Sequence, residues 1–377
     1  MPGQRRSRGT PQGTGDITTA TADSRLAAAG ATQSNSAIAE QLSGLRESVA
    51  GGLQAAGHFA STLLGFGQGD IQRDGTITDP TSGGPVSIDK AMSEARESGA
   101  TLGEWLMERY ALHPSKPTPD DDTLRIFVPG LNTPEPEASR RTAYYAEHYE
   151  QPMVHVHNGT NLDESVAGSD MLDMATAAMT RNTPRRTPLL DSLVTILNSA
   201  LAGAEPQSVL AILYSDSTIA GTRAIGIVRE QMIATRGDQD RESAEREVDT
   251  LLREHLFVEL HGNVSADLPV GPRYVAWTDE KDQMTHMQLP GGRELGFSAR
   301  QKDSDADVLY VDYDGPFAGG DAHNLQAVGV HAMRQTWEEN GVTDSQSLFE
   351  KSKDGPITVP TDIQGDATEL WNPENNR

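Results

Sequence analysis

The amino-acid sequence predicts an α/β protein with a mostly parallel sheet flanked by helices, preceded by a disordered N-terminal tail and a helical N-terminal extension. Two observations carry that expectation. From Thr123 onward the chain holds short, mostly apolar runs, such as Leu124 to Val128 (LRIFV) and Ser208 to Tyr214 (SVLAILY), and strands buried on both faces need such runs. Segments of helical period lie between them, and strands alternating with helices build a parallel sheet through crossover connections.

In order along the chain, residues 2–37 contain just two large aliphatic side chains, Ile17 and Leu26. So few cannot offset the entropy of ordering the segment, and residues 1–37 read as a disordered tail. Ile38, Leu42, Leu45, Val49, Leu53, Ala56, Phe59 and Leu63 then recur at steps of three and four, along one helical stripe. The stripe packs on its own domain or docks on a protein partner through residues 38–63. A membrane-surface role is disfavoured, because the polar face lacks the Lys and Arg that such helices carry. Residues 65–86 are turn-rich and read as a linker. A helix from Ser87 to Tyr110 and a Pro/Asp-rich loop, HPSKPTPDDD, complete an extension over residues 38–120.

The α/β domain is assigned to residues 121–345. Its first strand, Leu124 to Val128, is stopped by Pro129-Gly130; a helix follows over Glu137 to Tyr149, then a strand over Met153 to His157 (MVHVH). Helices are expected at Ser165 to Met179 and Pro188 to Ala202. Because Leu162 to Ala204 is longer than a simple crossover needs, it is expected to form a lid. Ser208 to Tyr214 is the most strand-like run, and a helix from Asp216 to Ala234 follows it at once. Leu256 to Leu260, Arg273 to Trp277 and Val308 to Val311 are further strands; His323 to Asn340 is a helix. Residues 346–377 are a C-terminal extension.

Composition removes several function classes. The 377 residues include no cysteine, so thiolate nucleophiles, disulfides and cysteine-ligated metals are excluded. With 55 Asp plus Glu against 31 Lys plus Arg, the net charge is −24, which repels nucleic acid and anionic lipid at long range. Residues 1–50 carry five Arg and four acids, so the acidity belongs to the remainder. No stretch approaches 18 consecutive apolar residues, and no apolar region follows the basic start MPGQRRSRG. A transmembrane segment and a cleaved signal are therefore not expected, and the location expected is cytoplasmic, or outside the cell by export without a cleaved signal.

Reactive groups of a parallel sheet gather at the carboxyl ends of its strands. There Val128-Pro129-Gly130-Leu131-Asn132 forms a Gly-containing turn, and Tyr214-Ser215-Asp216-Ser217 places a Ser at a sharp strand-to-helix turn. Acids follow a later strand at Asp279, Glu280 and Asp282, and His323 follows the last strand. Ser, then acid, then His is the order of a serine-hydrolase constellation. The plainer assignment makes Ser215 a helix N-cap. His155 and His157 share a strand face and, with His148 or Asp163, would form only a crude metal site; the spacing of Asp120-Asp121-Asp122 does not suit a calcium loop. No metal or cofactor is expected.

With those parts in place, LRIFVPGLNT, LAILYSDSTIAG, VELHGNVSADLPVGPRYVAWTDEKDQM and DAHNLQAVGV together resemble the α/β-hydrolase superfamily, lipase- and esterase-like members in particular, over residues 123–340. The resemblance implies a serine hydrolase acting on a small-molecule or lipid ester. Ser215 would be the nucleophile, Asp282 the acid with Asp279 as runner-up, His323 the base, and the N–H groups of Leu131 and Asp216 the oxyanion hole. The sequence departs from the G-x-S-x-G elbow at Leu213, where a small residue is usual. That departure motivates the alternative of a catalytically degenerate, hydrolase-fold interaction protein, including a secreted bacterial effector without a signal.

Overall fold

A computed structural model describes residues 75–118, 122–130, 133, 135–158, 187–237, 240–265, 268–279, 281–282, 305–315 and 326–360. All lie within the compact unit Phe66–Arg377. The tail, the stripe over 38–63 and the expected helix 165–179 fall outside the described residues.

The described chain opens with a small hairpin, β1 (Ile77–Thr78) and β2 (Pro85–Val86). This revises the linker reading for residues 75–86. Ile77 is fully buried and bridges Val156, while His157 N–H donates to Thr76 O at 2.7 Å and Gly75 N–H donates to His157 O at 2.9 Å. The many turn residues here build a hairpin seated on the domain. The single helix expected over Ser87 to Tyr110 is two, α1 (Ile88–Ser98) and α2 (Leu102–Arg109). Gly99 ends α1 in the left-handed region at φ 78°, and Thr101 with Glu104 forms a capping box that starts α2.

Among the described residues the main sheet has seven strands: β3 (Ala111–Leu112), β4 (Leu124–Val128), β5 (Met153–His155), β6 (Val209–Tyr214), β7 (Leu256–His261), β8 (Arg273–Asp279) and β9 (Asp307–Tyr313). Their spatial order is β3-β5-β4-β6-β7-β8-β9, with β3 antiparallel at the edge and all other pairs parallel. The mostly parallel α/β fold is thus as expected. Side chains alternate between two buried layers. Ile126, Val128, Ala211, Leu213, Val258 and Leu260 join one apolar cluster, whereas Phe127, Ile212, Tyr214, Val275 and Trp277 join the other. Burial on both faces explains why the runs are mostly apolar, each such side chain contributing about 1.5–3 kcal/mol.

Helices cover both layers. Beyond α1 and α2, the described helices are α3 (Glu135–Tyr149), α4 (Pro188–Leu201), α5 (Ser217–Ala234) and α6 (Arg241–His255) between strands, and α7 (Gln326–Asn340) and α8 (Ser345–Asp354) after the last one. The lid expected over Leu162 to Ala204 is not what its described part forms. α4 is capped by Thr187, buries Leu189, Leu190, Leu193 and Leu197 in the core, and packs against α5. Helix α6 escapes the sequence reading although Ala244, Val248 and Leu252 carry its buried stripe and Asp240 caps it. Its charged composition hides a three-residue stripe; Asp249 then ties it to α5 through two hydrogen bonds from Arg229, at 2.6 and 2.9 Å. At the C-terminal side α8 sets Phe349 edge-on to Phe257, 6.1 Å between ring centres.

Among the described residues, no helix is long and apolar enough to cross a membrane.

Candidate active site

The chain runs from β4 to β5 on one side of β4 and later returns to β6 on its other side. The crevice between the carboxyl ends of β4 and β6 is therefore the topological switch point, where ligands of such sheets bind. Gly130 and Ser215 face each other there. A Cβ on Gly130 would stand 3.0 Å from both Ser215 Cβ and Tyr214 Cδ1, tighter than ordinary van der Waals contact, so glycine suits the close approach of the loop after β4.

Ser215 has φ +57°, one of three non-glycine residues described with positive φ. That left-handed conformation costs an L-residue about 1–2 kcal/mol and persists where neighbouring structure imposes it. Hydrogen bonds on both sides do so. Ser215 N–H donates to His261 O at 2.9 Å, and Thr218 Oγ1 donates to Ser215 O at 2.6 Å while accepting from Val264 N–H at 3.1 Å. Ser217 is fully buried. Its Oγ accepts from Tyr214 N–H at 2.8 Å and has Val128 O and Tyr214 O each at 2.8 Å, sharing its one proton between them. The N-cap position of α5 belongs to Asp216, whose side chain makes no cap bond. Ser215 lies one residue earlier and is partly exposed, so the N-cap reading of Ser215 does not describe its place. The positive end of α5 favours negative charge developing beside it.

Leu213 does not widen the turn. Its side chain points into the layer beneath α5, where a Cβ on Gly221 would lie 2.2 Å from Leu213 Cδ1. The small residue that close strand–helix approach demands is supplied by the helix, eight positions on, instead of by the strand. That complementary signal is present in the sequence as Gly221 within IAGTRAIG.

Both candidate acids are buried near the end of β8. Asp279 Oδ1 accepts from Lys281 N–H at 2.9 Å and Gly315 N–H at 3.4 Å, and burial pushes its carboxyl above the ordinary carboxylate value. Asp282 is 2% exposed and donates its N–H to Asp279 O at 3.0 Å. Burial raises the phenol of Tyr214, the residue before Ser215; Arg141 opposes that rise, and Asp282 and Glu137 add to it. Leu131 and His323 lie outside the described residues. The helix that follows His323 begins at Gln326, and a Cβ on its Gly329 would stand 3.0 Å from Tyr313 Oη and 4.0 Å from His261 Nδ1, beside this cluster.

A buried polar group escapes the sequence reading. Glu259 is fully buried, accepts a hydrogen bond from Tyr149 Oη, and lies 3.2 Å from His261 Nε2 through its other oxygen. The i, i+2 spacing of Glu259 and His261 on a strand was the available signal. His155 and His157 do meet, rings 5.6 Å apart, yet His155 Nδ1 is 2.8 Å from Thr78 Oγ1 and His148 Nδ1 is 2.8 Å from Tyr144 O. Asp163 is outside the described residues, and among those described no three acidic or histidine side chains group as metal ligands do. A cavity of about 1060 Å³ opens at the opposite, amino end of the strands, beside Arg125, Phe257, Arg273 and Trp337. None of the elbow residues lines it, so the cavity and the candidate site lie at different ends of the sheet. No family model matches the chain, and no curated protein matches it either.

Proposed function

We propose that the protein is an α/β-hydrolase-type serine esterase that forms an acyl-enzyme at Ser215. The observation that carries this reading is Ser215 itself, held at φ +57° on a strand-to-helix turn at the switch point of a parallel sheet. Gly130 beneath it and the Gly221–Leu213 fit beside it support the same reading. In the mechanism proposed, His323 takes the Ser215 proton as Oγ attacks the ester carbonyl. The N–H groups of Asp216 and Leu131 receive the oxyanion, and Asp282 holds the imidazole. Collapse of the tetrahedral intermediate expels the alcohol, which takes its proton from His323; water, deprotonated by the same imidazole, then releases the acid. The small-molecule or lipid ester remains a class defined by that chemistry.

A fluorophosphonate probe tests the proposal. The wild-type chain is expected to be labelled at Ser215, and Ser215→Ala to abolish labelling. An unlabelled wild type, under conditions where a control hydrolase reacts, overturns it.

A further inference from the structure

Asn158 follows β5, the strand on the far side of β4 from the elbow. It is 3% exposed. Its single amide nitrogen, Nδ2, has three acceptors: Pro129 O at 3.3 Å, and Asp216 Oδ1 and Oδ2 at 3.2 and 3.3 Å. A side-chain amide has two N–H donors, so one serves the carbonyl and the other forks across the carboxylate. The carbonyl and the carboxylate belong to the two backbone segments that would carry the oxyanion N–H groups, the loop after β4 and the N-cap of the elbow helix. Asp216 also brings a carboxylate next to the atom where an oxyanion would grow. Like charge there opposes the reaction unless the carboxylate is fixed on a donor.

We infer that Asn158 is a positioning residue that clamps the loop after β4 to residue 216 and holds the Asp216 carboxylate on its amide, so that the Asp216 backbone donor keeps its place beside Ser215. This rests on the esterase reading above. The effect is on the transition state: an oxyanion hole loosened by a fraction of an ångström lowers turnover far more than ester affinity.

The experiment uses the full chain, a fluorophosphonate probe and p-nitrophenyl butyrate. Asn158→Ala is expected to slow labelling and kcat by about 10–100-fold with KM within about threefold. Asn158→Asp, the same shape without the donor, is expected to be slower still, because two carboxylates then face each other. Adding Asp216→Asn to Asn158→Asp restores a donor–acceptor pair and is expected to recover at least about tenfold of the lost rate. Circular dichroism and thermal midpoints establish that each variant is folded; if Asn158→Ala is not, the isosteric pair carries the test. Wild-type rates in both single variants, or no recovery in the double variant, overturn the inference while leaving a Ser215-labelled esterase intact. A wild-type chain that neither labels nor hydrolyses overturns both.

Discussion

Ser215 pays a conformational penalty that the bonds around it hold in place. Glycine adopts φ +57° without it. Ser215→Gly and Ser215→Ala both remove the hydroxyl, so their difference isolates the backbone: the Gly variant is expected to be the more stable in urea unfolding by about 1 kcal/mol. The two acids separate by a similar comparison. If Asp282 orients the base, Asp282→Asn is expected to lower kcat by on the order of 10³–10⁴, as loss of an orienting acid does. Asp279→Asn, and Gly315→Ala, whose Cβ would stand 2.0 Å from Asp279 Oδ2, should then change activity much less. Asp279 has its own signature in pH. Its folded pKa is raised, mainly by burial, so the folded state holds the proton longer than the unfolded chain. Stability from this group therefore falls as pH rises from the ordinary value of 3.8 through the raised one, and Asp279→Asn should flatten that decline.

Strands and helices reveal how far local pattern reaches. The six parallel strands of the sheet were legible because burial leaves a mostly apolar run, and Pro129-Gly130 marked the end of one of them, whereas the two-residue antiparallel edge strand β3 was not. Helix α6 was not, because a helix that buries one narrow stripe and is charged elsewhere resembles a solvated segment. The break between α1 and α2 rested on Gly99 and the Thr101–Glu104 box, a cap signal masked by apolar residues on both sides. At the candidate site, the order of parts along the chain singled out Ser215, Asp279 and Asp282 in the sequence, whereas Asn158 and Glu259 needed neighbours that only the sheet supplies. The Gly221–Leu213 pair is an element-scale contact, and its test is steric. Gly221→Ala is expected to destabilise the protein by about 1–3 kcal/mol through overpacking, and Leu213→Ala in that background to give part of it back, as thermal unfolding would show.

At the scale of the whole molecule, a buried histidine sets a limit on acid tolerance. Burial, and then the neighbouring His157, lowers His155 from 6.5 to about 3. It stays neutral in the fold while the unfolded chain takes up a proton below 6.5. The unfolded state thus binds more protons between those values, and stability present above 6.5 declines as pH falls toward 3. Urea midpoints measured at pH 7 and pH 5 are expected to drop more for the wild type than for His155→Gln. The β6–β7 pairing reaches just as far into the chemistry. Its ladder runs from Val209↔Leu256 to Tyr214↔His261 and continues one step further, through the Ser215 amide to His261 O. The turn is thereby fastened to the interior of the sheet. Its amide proton should exchange with deuterium as slowly as those of Ile212 and Leu213, by rare cooperative opening and not by local fraying.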